Sequence, residues 1–157
     1  MSPPVSSQRN SVGKHLSFTL GAEEYAMPVQ CVREIVGPLP VTRVPQMPAH
    51  VLGVINLRGK VIPLADLRIK IGVEASDHGA RTCIVVVQLN SGLQLGLVVD
   101  SVSEVLQIAP QDLDRSTNVG AAGQGVVGLA KVRNHIKILI DVELLLHDES
   151  LALSSAA

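Results

Sequence analysis

The sequence repeats itself at a fixed distance. Gly53, Leu57, Arg58, Leu64, Asp66 and Leu67 fall in register with Gly128, Val132, Arg133, Leu139, Asp141 and Val142, each pair 75 residues apart (128 − 53) with no gap. Gly59 meets Asn134 at the same offset, and both residue types tolerate a left-handed backbone. Earlier in each half, Val32-Arg33-Glu34-Ile35 falls in register with Val102-Ser103-Glu104-Val105, 70 residues apart (102 − 32). Chance similarity between two Val/Ile-rich stretches leaves the coincidence of Gly, Arg and Asp at one offset unexplained. Each half reads as a hairpin, a Val-x-Glu-apolar segment, an Arg-bearing turn, a strand and an Asp-capped helix. A copy of about 65 residues buries too little surface to be stable alone. The expectation is two small barrels packed together, with a binding groove between them.

The rest of the chain supplies short strands. Alternation and turn signals place them at His15 to Leu20, Tyr25 to Pro28, and around 50–56, 60–64, 83–89, 94–99, 102–109, 126–132 and 135–140. Cys83 to Leu89 is a continuous apolar run, typical of a strand buried on both faces. Val29 to Val36 has apolar residues at 29, 32, 35 and 36, which predicts one or two helical turns stopped by Gly37 and Pro38. Pro40, Pro45 and Pro48 force an extended connection after it. Short helices are expected from Asp66 to Gly72 and after Asp141, with both aspartates as N-caps. Many short strands at this spacing indicate an all-β barrel architecture with minor helices. Residues 1–14 are expected to be a disordered tail, 15–149 the folded domain and 150–157 a flexible tail, with polar linkers at Glu74 to Arg81 and Asp114 to Gly125.

Composition narrows the function. The chain has 157 residues, is 46% hydrophobic and carries a formal charge of −1. One Tyr, one Phe and no Trp leave no aromatic platform for single-stranded nucleic acid. The near-zero charge lacks the basic footprint of a duplex or anionic-lipid binder. No apolar run approaches 18 residues and the N-terminus has no apolar signal region, so no membrane insertion is expected and the setting is cytoplasmic. Cys31 and Cys83 lie far apart, each inside an apolar segment, and are expected as reduced core thiols.

Few residues suggest chemistry. The five histidines, at 15, 50, 78, 135 and 147, form no metal pair and are expected at surfaces or edges. Gly120, Gly123 and Gly125 lack the Gly-Lys-Ser/Thr ending of a phosphate loop and precede a strand, which makes them a linker. No nucleophile–base or metal set is visible, so neither catalysis nor a cofactor is expected. Val32 and Ile35 are open between core and binding face. Glu34 and Arg58 either pair, bracing a docking surface, or stand as two separate solvated charges worth almost nothing.

The motif Gly53-x-x-Asn56-Leu57-Arg58-Gly59, followed by Val61-Ile62-Pro63 and Asp66-Leu67-Arg68, resembles the CheW-type chemotaxis coupling proteins. Further matches are Glu34, Phe18-Thr19-Leu20-Gly21 with Glu24-Tyr25, Val41 to Pro45, Val98-Val99-Asp100 and Gly128-Leu129-Ala130, together spanning roughly residues 16–147. The resemblance implies two five-stranded SH3-like barrels and a non-enzymatic adaptor. It implies as partners the cytoplasmic tips of chemoreceptors (methyl-accepting chemotaxis proteins) and the regulatory domain of the histidine kinase CheA, at receptor arrays. Carried over, Val32, Glu34, Ile35, Gly53, Asn56, Leu57, Arg58 and Gly59 belong to the receptor-docking region, braced by the pair Glu34 and Arg58. It assigns no kinase contacts. Gly37-Pro38-Leu39-Pro40 is more apolar and proline-rich than the family pattern. The competing readings are an adaptor of a pilus-motility or other chemosensory array and, in a different class, a small-barrel ligand binder or enzyme.

Overall fold

Eleven strands, two short α-helices and two 3-10 turns make up the regular structure among the described residues of the computed structural model, which are 12–73, 81–114 and 125–146. They are β1 (Gly13–Leu20), β2 (Glu23–Pro28), β3 (Val32–Val36), β4 (Val51–Leu57), β5 (Lys60–Asp66), α1 (Leu67–Ile71), β6 (Cys83–Gln88), β7 (Gln94–Val99), β8 (Ser101–Ile108), β9 (Leu113–Asp114), β10 (Val126–Val132), β11 (His135–Ile140) and α2 (Val142–Leu145). The fold is all-β. A five-stranded sheet runs β3-β6-β7-β5-β4, and a six-stranded sheet runs β8-β1-β2-β11-β10-β9.

The chain divides into two units. The central unit contains Thr19–Ala22 and Val32–Val102; the terminal unit contains Glu23–Cys31 with the described parts of Met1–Phe18 and Ser103–Ala157. The central core gathers Ile55, Ile62, Leu64, Ile84, Val86 and Val98. The terminal core gathers Ala26, Leu106, Ile108, Ala130 and Leu139. Leu64 and Leu139 are equivalent positions of the repeat, each shut inside its own core by strand alternation.

The repeat survives in the backbone at fine detail. The β4–β5 pairing shifts register between Val51 and Gly53, and the β10–β11 pairing does so between Val126 and Gly128. Asp66 donates its amide to the His50 carbonyl at 2.7 Å, as Asp141 does to that of Gly125 at 2.8 Å. Thr42 bridges Val54, and Asp114 of β9 pairs with the equivalent Leu129. The sixth strand of the terminal sheet therefore extends a contact that the central unit makes with one residue.

The units are nonetheless not the two sequence halves. In the central sheet, the second strand of the Arg-turn hairpin, β5, lies parallel to β7 of the following half. In the terminal sheet, β11 lies parallel to β2, from the opposite end of the chain. The central sheet thus combines three strands of one half with the hairpin of the other, and the terminal sheet combines four with the hairpin β1–β2.

Other expectations need correction. Val29 to Val36 is not a pair of helical turns; Val29–Cys31 is a 3-10 turn and the remainder is strand β3. Its β-branched residues pair with β6, Val32 opposite Val87 and Val36 opposite Ile84, around a bulge that leaves Arg33 unpaired. That extra residue breaks the two-residue period and imitates helical spacing. Gly13 and Lys14 belong to β1, not to a tail. Residues 1–11, the linkers at 74–80 and 115–124 and the chain from 147 onward lie outside the described residues. His15 is fully buried in β1, where its Nδ1 lies 3.0 Å from the Gly13 carbonyl. Cys31 and Cys83 are not joined in a disulfide, each is only half-buried, and burial pushes the Cys83 thiol above its ordinary range.

Candidate functional site: a braced docking face

The hairpin between β4 and β5 turns on two residues, Arg58 and Gly59, with φ of 52° and 88°. Positive φ at both central positions is the primed turn that suits strand twist, but it costs a non-glycine residue about 1–2 kcal/mol. The expectation of positive φ thus holds for Gly59 and extends to its neighbour. Asn56 supports the turn by accepting a hydrogen bond from the Gly59 amide at 2.8 Å. Gly53, upstream, is required by packing. At its φ of 146° an added Cβ would lie 2.1 Å from the Thr42 carbonyl oxygen, which accepts from the Val54 amide.

This turn projects the Arg58 guanidinium toward β3. Nη1 donates to Oε1 of Glu34 at 2.9 Å and Nη2 to Oε2, making a bidentate pair. β3 and β4 are the two ends of the five-stranded order, so the pair ties one end to the turn at the other. The Arg58 side chain is 69% exposed and that of Glu34 is 28% exposed. Hydrogen bonding to Arg58 holds the Glu34 carboxyl below its usual range and raises the guanidinium in turn. An exposed pair adds little stability. Its effect is geometric, fixing a planar donor fork on a surface.

The sequence-derived residues separate by role. Glu34 and Arg58 meet, Asn56 and Gly59 shape the turn, and Gly53 admits the Thr42 strand. Ile35 projects from β3 and is 45% exposed, whereas Val32 and Leu57 are half-buried. The Pro-rich segment contributes Pro38, Leu39 and Val41 to a small apolar cleft shared with Leu52, Cys83 and Ile84.

At the other end of β5 from this turn lies a buried ionic network that sequence reasoning missed. Arg68, in α1, is 2% exposed. It donates to both oxygens of Asp66, at 3.0 and 2.8 Å, and to Asp100 Oδ1 at 2.8 Å. Asp66 also caps the helix by accepting from the Arg68 amide at 3.0 Å, as expected of it, and Gly72 closes the helix in the left-handed region. Asp100 accepts from the Gly21 amide at 2.6 Å, tying the β1–β2 turn into the central unit. The hydrogen bond to Asp66 raises the Arg68 guanidinium further above its ordinary range. Arg68 lay in the noted Asp66-Leu67-Arg68 run, but nothing local announces its burial.

The terminal unit repeats the surface pair. Arg133 Nη2 donates to Glu104 Oε2 at 2.7 Å, from a turn with φ of 51° at Arg133 and 65° at Asn134. Among the described residues no group of three or more His, Cys, Asp or Glu side chains could hold a metal. No helix among them is long and apolar enough to cross a membrane.

Two small β units, each displaying an Arg–Glu surface pair beside a positive-φ turn, define a duplicated all-β module. Residues 14–150 match the CheW-like domain model, and the chain belongs to the CheW-like family. It is 38% identical to a chemotaxis protein CheW of Klebsiella aerogenes over 141 residues, 88% of this chain and 84% of that one. It is likewise 38% identical to a chemotaxis protein CheW of Rhizobium meliloti over 106 residues, 68% of each. The crystal structure of the scaffolding protein TtCheW from Thermoanaerobacter tengcongensis superposes with a TM-score of 0.76 at 30% identity, covering 86% of this chain and 92% of that one. The chain is thus a chemotaxis scaffold.

Proposed function

We propose that this chain couples chemoreceptors to the histidine kinase CheA, acting without catalysis in the cytoplasm at receptor arrays. A helical receptor tip docks on the face around Glu34 and Arg58, with Ile35 supplying apolar contact. The regulatory domain of CheA is held elsewhere on the surface. The observation that carries this reading is the bidentate Glu34–Arg58 pair, set on a turn whose Arg adopts a costly left-handed backbone. Strain of that kind concentrates at functional sites. Modest single contacts suffice when many copies act together in an array.

The test is Arg58→Glu in a pull-down with a receptor-tip fragment. Binding is expected to fall by about tenfold or more, with the thermal melt unchanged. The charge-swapped Glu34→Arg/Arg58→Glu chain is expected to recover part of the loss. Undiminished capture by well-folded Arg58→Glu sinks the docking assignment, and purely additive losses sink the brace.

A further inference from the structure

Four side chains form a polar row across the central sheet. Arg33 Nε donates to Gln88 Oε1 at 2.7 Å, Gln94 Nε2 donates to the same oxygen at 3.4 Å, and Lys60 Nζ donates to Gln94 Oε1 at 3.0 Å. The row follows the strand order β3-β6-β7-β5, with Gln88 and Gln94 facing each other as register partners. The β3 bulge re-aims Arg33 so that it lies along the row. Both ends of the row are exposed cations, and neither meets an acidic side chain among the described residues. Arg33 uses Nε on Gln88, which leaves its two Nη groups as a donor fork that a carboxylate matches. The terminal unit fills the equivalent place with its own acid. Leu64 pairs in register with Gly96 and its equivalent Leu139 with Ala26, so Gln94 and Glu24 hold equivalent positions. Lys60 corresponds to His135, whose Nδ1 lies 3.5 Å from Glu24 Oε1, and Arg33 corresponds to Ser103. Cations resting on neutral amides are thus a feature of the unit that carries Arg58. Arg33, Arg58 and Lys60 against Glu34 give these four side chains a charge of +2 (3 − 1), on a chain whose formal charge is −1.

We propose, on the basis of the receptor docking already proposed, that Arg33 and Lys60 make this row a specificity strip. It selects helical receptor tips that carry acidic side chains beside the Glu34–Arg58 contact. Charge complementarity and continuity carry the assignment. Arg33 adjoins Glu34 in β3, and Lys60 opens β5 two residues beyond Arg58, so a helix seated on the pair reaches the row. A partner carboxylate replaces contacts to neutral amides with charge-assisted bonds, which are roughly twice as strong. Three strand spacings of about 4.8 Å separate β3 from β5, and both cations lean inward, so their charges stand within about 14 Å, less than three turns of a helix. One helix can therefore present a carboxylate to each. The glutamines already hold the two long side chains in place, which lowers the ordering cost of binding.

The test is titration of the full chain with a synthetic receptor-tip hairpin in two versions. One keeps its Asp and Glu residues along the docking helix, and the other has each replaced by Asn or Gln. The wild type is expected to bind the acidic version about tenfold more tightly at low salt, a preference that shrinks in high salt. Arg33→Gln/Lys60→Gln is expected to lose the preference, each single variant to lose part of it, and Arg33→Lys/Lys60→Arg to keep most of it. Gln94→Glu gives Lys60 the acid that its counterpart has, and is expected to reduce the preference about threefold. Equal affinity of the wild type for both versions overturns the proposal, as does a preference that survives Arg33→Gln/Lys60→Gln. Arg58→Glu keeps the two proposals apart. Binding indifferent to Arg58→Glu sinks the docking reading. Binding that falls with Arg58→Glu, while the acidic preference ignores Arg33→Gln/Lys60→Gln, sinks the strip alone.

Discussion

Arg58 and Arg133 occupy one place in two copies of the same hairpin, with φ of 52° and 51°, yet their surroundings differ. Asn56 accepts from the Gly59 amide beneath the first turn, where the second has Lys131 in the equivalent place. Gly53 lies against the Thr42 carbonyl, while a Cβ on Gly128 would meet nothing within 4 Å. At the far end of β5 from the first turn sits buried Arg68, and its counterpart in the terminal unit is Glu143, in the first turn of α2. Conversely, the terminal unit buries Lys137, bonded to Ser17 and Glu24, where the central unit has the core residue Ile62. The duplicated backbone specifies a turn and a pair; the divergent side chains decide how firmly each is held. By that measure the central face is the stiffer one.

The largest break in this comparison is expected at Arg68. Arg68→Ala leaves Asp66 and Asp100 without their shared cation and is expected to destabilise by about 3–5 kcal/mol, where Glu143→Ala costs about 0.5 kcal/mol. Chemical denaturation measures both, and equal losses would show that the network braces nothing. Next comes glycine. Gly53→Ala is expected to cost about 2–4 kcal/mol through strain and collision with Thr42, against less than about 1 kcal/mol for Gly128→Ala. Matching melting temperatures would remove the claimed difference between the turns. The smallest effect is electrostatic. Arg58 holds the Glu34 carboxyl below its usual range, so the pair's contribution is complete above the unfolded carboxyl value of about 4.3 and disappears as pH falls through the depressed folded value. An NMR titration is expected to show a lower Glu34 midpoint in the wild type than in Arg58→Met. Coincident midpoints would mean the pair does not persist in solution.

Local patterns were legible in the sequence. The central and C-terminal strands follow from alternation and turn residues, and Asp66 and Asp141 from helix-capping chemistry. Gly59 and Asn134 were visible as turn residues because few residue types accept their backbone. The Glu34–Arg58 pair was one of two readings, and geometry chose between them. What escaped depended on distant neighbours. β3 read as helix because one bulged residue, Arg33, disturbs the alternation. His15 was expected at a surface or edge and Arg68 was noted only within its motif, since the groups that bury them arrive from elsewhere in the chain. The exchange of hairpins escaped for the same reason, because a parallel pairing such as Tyr25 with Ile138 leaves no trace near either residue.

That exchange imposes a timetable on synthesis. The central unit is almost wholly contained in Val32–Val102, so most of its strands are available once that stretch has left the ribosome. β2 emerges early, but its partner β11 is among the last elements made. At about 5–20 residues per second, β2 waits roughly 5–20 s with one edge unsatisfied. Birth order therefore favours the unit that carries the better-braced turn, and the terminal unit assembles only once β11 has emerged.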